Sequence, residues 1–317
     1  MNNIFLFCPL KGNITVLIYR EKKERLIMVK KGNATPTSHI YFSQRLRLHY
    51  LDWGNPEAPP LLLVHGHRDH CHNWDWVAEA LRDEYHIVAP DFRGHGDSAW
   101  VYGAAYSHGE YIYDLAQLIH QLELSPVTII AHSLGGSVAL RYAGIYPENI
   151  HKMIVIEGTG GPPVELENMP LHDRLRQWIE NTRSISGRTP KRYKSLEDAY
   201  QRMHEANSHL REDQARNLTI HGTNQNEDGT YSWKFDNYTH VMSPFGIDRS
   251  DSHELWKRID KPVLLVSGKE SWMSAAKKED PASYFPNASH VQIENAGHWL
   301  HHDQLETFLK VARDFLG

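Results

Sequence analysis

Only two cysteines, Cys8 and Cys71, stand in 317 residues. Two thiols cannot build a disulfide framework, and their scarcity fits a reducing compartment, so a cytoplasmic protein is the expectation. Apolar runs long enough to span a membrane are missing. The stretch Ile4 to Leu10 is too short, has no positive charge before it and leads to no small-residue cleavage site, so it is not read as a signal peptide. Basic excess is missing as well: a net charge of -5 and a pI near 6.5 give no electrostatic footprint for nucleic acid or an anionic membrane. Internal repeats and low-complexity tracts are absent. The composition is ordinary for a globular chain, 40% hydrophobic and 23% charged, and the length suits one large α/β domain with an insertion. The abundance that stands out is histidine, at 22 residues.

Residues 1–37 read as an appendage, running through the basic patch Arg20 to Arg25 into a polar linker, Lys30 to Thr37. From Ser38 the pattern changes. Ile40 to Phe42 and Leu46 to Trp53 alternate as an antiparallel pair, and Leu61 to Val64 is wholly apolar. Strands and helices then alternate: Trp74 to Leu81 is helical by spacing, Tyr85 to Ala89 is a strand, and Ile112, Leu115, Ala116, Ile119 and Leu122 mark one helix face. Met153 to Ile156, Val263 to Val266 and Val291 to Ile293 are further strands, and a closing helix turns Leu305, Phe308, Leu309 and Ala312 inward. This alternation means a mostly parallel sheet with helices on both faces, built from residues 38–158 and 252–317. Residues 159–251 interrupt it. There Leu171, Leu175, Trp178 and Ile179 predict an amphipathic helix, Ser195 caps a second, Leu210 to Leu218 suggests a third, and Asp228-Gly229 signals a hairpin. A mainly helical insert between two strands of a sheet reads as a lid.

The chemistry is concentrated between Val127 and Tyr146. Val127 to Ile130 is a β-branched run suited to a buried strand, Val138, Ala139, Tyr142 and Ala143 recur at helical spacing, and Ser133 stands where the period changes. Forcing a strand into a helix within about two residues requires small neighbours, here Ala131 and Gly135, and lifts the serine hydroxyl clear of the sheet. The Leu134 N–H and the helix dipole then face a developing oxyanion. A serine needs a base, and His298, in the loop Asn295 to Trp299 after the last strand, is placed for it; His301 and His302 read as a solvated helix start. A second oxyanion N–H is expected from His67, with Gly66 allowing close approach. Asp91 to Ser98 reads as loop structure beside the site.

A different class is suggested by His65-Gly66-His67-Arg68-Asp69-His70. This run matches the H-x-H-x-D-H ligand pattern of the metallo-β-lactamase superfamily, with His132 as a further ligand. That fold needs many strands before the motif, and this chain has one short pair there. His67, His70 and His72 therefore read as pocket-rim and surface residues, with no metal and no cofactor expected.

HGH after the third strand, DFRGHGDS after the fourth, AHSLGG, and AGHW before the last helix resemble, in this order, the α/β-hydrolase superfamily across roughly residues 38 to 317. Glu205 to Leu210 and His221-Gly222-Thr223 resemble its animal serine hydrolase-like branch. The resemblance implies a serine hydrolase acting on a carboxylic ester or related small-molecule acyl compound. Carbon–carbon bond hydrolysis on the same residues and a catalytically silent binding protein are the alternatives. Ser133 is then the nucleophile and His298 the base. Haloalkane dehalogenases and epoxide hydrolases share the layout, but their aspartate nucleophile is replaced here by Ser133. The superfamily's usual acid position, in Gly268-Lys269-Glu270-Ser271, holds serine. Two carboxylates compete for the role: Glu157, at the end of its strand, where the serine hydrolase-like branch carries the acid, and Glu270 as the alternative.

Overall fold

The computed structural model describes residues 35–103, 106–160, 169–241, 243–273 and 280–317, together with the backbone of three strands nearer the amino terminus. The chain divides into two compact units, residues 1–37 and 38–317. In the first, β1 (Phe5–Leu10), β2 (Asn13–Ile18) and β3 (Leu26–Val29) form an antiparallel sheet in that order. The basic stretch Arg20 to Arg25 and most of the linker Lys30 to Thr37 lie outside the described residues.

The second unit is built on eight strands: β4 (Thr37–Ser43), β5 (Leu46–Asp52), β6 (Pro60–Val64), β7 (His86–Pro90), β8 (Val127–His132), β9 (Ile150–Ile156), β12 (Val263–Gly268) and β13 (Ala288–Ile293). They lie side by side in the order β13-β12-β9-β8-β6-β7-β5-β4. From β7 to β13 the pairing is parallel, and β5 joins β7 antiparallel. Parallel strands need helical crossovers, which cover both faces and explain why every residue of β8 is buried.

Alternate residues of these strands feed two cores. Leu62, Val64, Ile129, Ala131, Met153 and Val155 pack with α2 (His108–Gln121) and α3 (Leu134–Ile145), through Leu115, Leu118, Val138 and Tyr142. Leu61, Leu63, Ile130, Ile154 and Val266 pack with α1 (Asp75–Leu81) and α9 (Leu305–Leu316), through Trp74, Val77, Phe308 and Ala312. One-residue alternation along a strand thus becomes two layers of core.

Between β9 and β12 stand α4 (Leu171–Ile185), α5 (Leu196–Ala206), α6 (Glu212–Gly222), the short hairpin β10 (Thr223–Gln225) and β11 (Tyr231–Trp233), and α7 (Arg249–Trp256). Residues 161–168, where the insertion starts, lie outside the described residues. Ser195 caps α5 in a reciprocal capping box with Asp198, and Gly229 takes the positive φ of 81° that the hairpin turn requires. Tyr200, Leu210, Ala215 and Leu218 form a small core of their own. The amphipathic helix expected around Trp178 forms as α4, but it buries no residue, and Leu171 and Ile179 stay exposed.

Two readings of histidines are corrected. The short helix α8 (Leu300–Asp303) precedes α9, and its His301 and His302 are buried rather than solvated. The His301 ring stacks on Trp74, and its Nε2 lies 2.6 Å from Asn73 Oδ1. His70 is likewise buried and not a surface residue: its Nε2 sits 3.0 Å from the Leu218 carbonyl of α6. Among the described residues, no helix is long and apolar enough to cross a membrane.

Candidate active site

The turn from β8 into α3 sets Ser133 at φ 51° and ψ -117°, a left-handed conformation that an L-residue adopts at a cost of about 1–3 kcal/mol. What over-determines it is close packing. A Cβ on Gly135 would lie 2.5 Å from the carbonyl oxygens of both Val64 and His65, and one on Gly66 would lie 2.8 Å from His132 Nδ1. The Ser133 N–H donates to the Ile156 carbonyl at 2.8 Å, so the bend is tied to the neighbouring strand.

His298 Nε2 lies 3.0 Å from Ser133 Oγ across 165 residues of sequence. The loop that carries it is held from below by His132, whose Nε2 lies 2.9 Å from the His298 carbonyl, and by Asp303, which accepts from Gly297 N–H at 2.8 Å. Burial pushes the His132 pKa well below its ordinary value, so this ring is neutral and serves as a hydrogen-bonding brace.

The two candidate acids differ in placement. Glu157 follows β9 directly at φ 51°, and its side chain is fully buried. Its Oε1 accepts from Gly268 N–H at 2.8 Å, and its Oε2 accepts from Ser271 Oγ at 3.0 Å and lies 3.8 Å from His298 Nδ1. That nitrogen is buried with no hydrogen-bond partner, and the Glu157 carboxylate is the acid beside it. Catalytic hydrogen bonds are commonly long in the unliganded state and shorten around the reacting group. Glu270 is exposed at the surface of its loop and ion-pairs with no residue among those described. Ser271, standing in the usual acid position, therefore helps to hold a carboxylate that comes from another strand. The serine at that position was legible in the sequence; its bond to Glu157 was not, because the two are 114 residues apart.

A cavity of about 320 Å³ opens beside Leu134, lined by His67, Tyr106, Ser107, His108 and Tyr111 from the sheet unit and by Thr239, His240, Val241 and Ile247 from the segment after the hairpin. His67 and Leu134 thus border the same space. Burial, with His240 and Arg68 nearby, pushes the His67 pKa down to about 4, and burial with Arg141 nearby does the same for His108, so the histidines of this wall are uncharged at neutral pH.

The run His65 to His70 does not gather its donors. His65 Nδ1 faces the Gly66 carbonyl, His65 Nε2 accepts from Phe92 N–H, Asp69 is bonded by His70 N–H, and His70 faces Leu218. Among the described residues, the sets whose ligand atoms converge are His49, Cys71 and Asp91, and His72, Asp75 and His221, neither of which contains this run. Asp91 is instead a structural hub: it accepts from Cys71 N–H and Asp97 N–H and lies 2.7 Å from His49 Nδ1.

The model of the alpha/beta hydrolase fold family matches residues 59–305. The chain is an α/β hydrolase. Among its relatives, the sn-1-specific diacylglycerol lipase ABHD11 of Xenopus laevis is 26% identical over 90% of this chain and 88% of its own length. A serine hydrolase-like protein of Danio rerio is 24% identical over 83% of each chain. Of solved structures, the thioesterase domain from the curacin biosynthetic pathway superposes with a TM-score of 0.79 at 24% identity, covering 89% of this chain and all of that one. This α/β hydrolase is an enzyme with hydrolase activity, and esterases, lipases and serine hydrolase-like proteins stand among its relatives.

Proposed function

We propose that this α/β hydrolase cleaves a carboxylic ester or related small-molecule acyl compound through an acyl-enzyme on Ser133, with His298 as general base and acid and Glu157 as the third member. The observation that carries this reading is the 3.0 Å approach of His298 Nε2 to Ser133 Oγ at a strained strand-to-helix turn. Ser133 Oγ attacks the acyl carbon while its proton passes to His298 Nε2. The tetrahedral oxyanion is held by the Leu134 and His67 N–H groups, and collapse expels the alcohol, which takes the proton from His298. Water then attacks the acyl-enzyme, giving its proton to His298, and the second collapse returns a proton to Ser133 and releases the acid. Glu157 selects the His298 tautomer with its proton on Nδ1 and steadies the imidazolium.

The segment 159–251 is the lid in this proposal, since Thr239, His240 and Val241 line the cavity beside Leu134. Residues 1–37 are outside the catalytic core. The test is labelling with a fluorophosphonate. One adduct at Ser133, abolished in Ser133→Ala together with turnover of p-nitrophenyl esters, is expected; ester turnover that survives in Ser133→Ala refutes the mechanism.

A further inference from the structure

Arg141 lies two turns beyond Ser133 in α3, and none of its side chain reaches solvent. Its Nη1 donates to the Ser137 carbonyl at 2.9 Å and to Ser137 Oγ, its Nη2 donates to Ser252 Oγ at 2.8 Å, and its Nε has no hydrogen-bond partner. Every acceptor is neutral, and no carboxylate among the described residues pairs with the guanidinium. Burial lowers its pKa to about 10, which leaves it charged at neutral pH. Arg93 shows the usual solution to the same problem: it is also buried, but Asp114 and Glu110 compensate it. A buried cation without a counter-ion is strongly unfavourable unless something supplies the missing charge.

The position of Arg141 says where that charge enters. Ser137 Oγ, which Arg141 holds, lies 3.4 Å from His108 Nε2, and His108 lines the cavity beside Leu134. Two side chains, Ser137 and His108, therefore stand between the cation and the cavity. The amino end of α2, at Ser107 and His108, borders the same cavity, and its partial positive charge acts in the same direction. Among the described residues, the carboxylates near this cavity are already engaged. Asp236 takes the Tyr106 hydroxyl and the Tyr238 N–H and borders a separate cavity, and Asp114 and Glu110 are held by Arg93.

We propose that this cavity receives an acyl group ending in a carboxylate, so that the substrates are monoesters or monothioesters of short dicarboxylic acids. The proposal rests on the reading of Ser133 as the nucleophile and adds its substrate class. The free carboxylate supplies the counter-charge to Arg141, with Ser137, His108 and the start of α2 between them, while the ester carbonyl lies at Ser133.

The test compares monoethyl succinate, glutarate and adipate with ethyl butanoate, pentanoate and hexanoate by pH-stat titration. For the wild-type enzyme, kcat/KM is expected to be about tenfold or more higher for the charged member of at least one pair. In Arg141→Met that ratio falls to one or below, and in Arg141→Lys part of it is restored. Because Arg141→Met removes a buried group and can fail to fold, a second measurement uses the wild-type enzyme alone: free glutarate is expected to inhibit neutral-ester turnover competitively, and 1-pentanol at equal concentration is not. Neutral esters preferred at every chain length, with no inhibition by glutarate, would overturn the substrate class and leave the serine mechanism standing. Failure to cleave either series, with no fluorophosphonate adduct on Ser133, would overturn both.

Discussion

Replacing Glu157 by glutamine tests the proposed acid most directly, because the substitution keeps size and removes one charge. In the native site Oε1 accepts from Gly268 N–H at 2.8 Å, and Oε2 faces both Ser271 Oγ and His298 Nδ1, the latter at 3.8 Å. A glutamine keeps its carbonyl oxygen on Gly268 N–H, since the opposite flip would set two donors against each other. Its amide NH₂ then points at His298 Nδ1 and donates to it. That bond selects the tautomer with the proton on Nε2, which cannot accept from Ser133 Oγ. The loss of both tautomer and counter-charge costs about 10⁴ in turnover, or about 5.4 kcal/mol of transition-state stabilisation. The assay is kcat and KM on a p-nitrophenyl ester, with a melting curve to establish that the variant folds. Glu270, exposed in its loop, serves as the control, and Glu270→Gln is expected to stay within about twofold of wild type. A folded Glu157→Gln enzyme with near-native kcat, or a larger loss in Glu270→Gln, refutes the assignment.

Three further outcomes are expected. Ser271→Ala removes one hydrogen bond to the Glu157 carboxylate, so kcat should fall about tenfold with KM unchanged; unaltered kcat would mean the hydroxyl does not position Glu157. Gly135→Ala places a methyl 2.5 Å from two backbone carbonyls and should cost about 3 kcal/mol, seen as a fall of about 5 °C in Tm; a Tm within a degree of wild type would contradict the packing at the turn. Acid should unfold the protein early. Burial lowers the pKa of His65 and His70 to about 4 and of His95 and His302 to about 3, so between those values and about 6.5 the unfolded chain binds more protons. Stability is thus complete above about pH 6.5 and falls as pH drops towards 4, by up to about 3 kcal/mol for a single such histidine; denaturant midpoints that do not move between pH 7 and pH 5 would count against it.

What could be read from the sequence follows from what is local. The period change at Ser133, the apolar run Leu61 to Val64 and the alternation of strands with helices are short-range signals, and they sufficed for the sheet and put Ser133 and His298 forward as candidates. Burial is not local. His301 and His302 sit at a helix start that looks polar, yet Trp74 and Asn73, far off in sequence, pack on His301, and the Trp76 ring packs on His302. α4 shows the converse: its apolar stripe promised a buried face, and Leu171 and Ile179 remain exposed. The burial of Arg141 was invisible for the same reason, because one of its partners, Ser252 of α7, is 111 residues away.

The serine and the proposed acid stand on adjacent strands locked in register. His132 pairs with Ile156, the Ser133 N–H is bonded to that same Ile156, and Glu157 is the next residue. The backbones of Ser133 and Glu157 are thereby tied to each other, while the Glu157 carboxylate is steadied from β12 and the loop after it, through Gly268 and Ser271. His298 is carried on a separate loop, residues 295–299, and stands 3.8 Å from the Glu157 carboxylate. For anyone redesigning the pocket, β8, β9 and their shared hydrogen bonds are the part to leave intact, and the loop at His298 is the place where a loss of rate would first be felt.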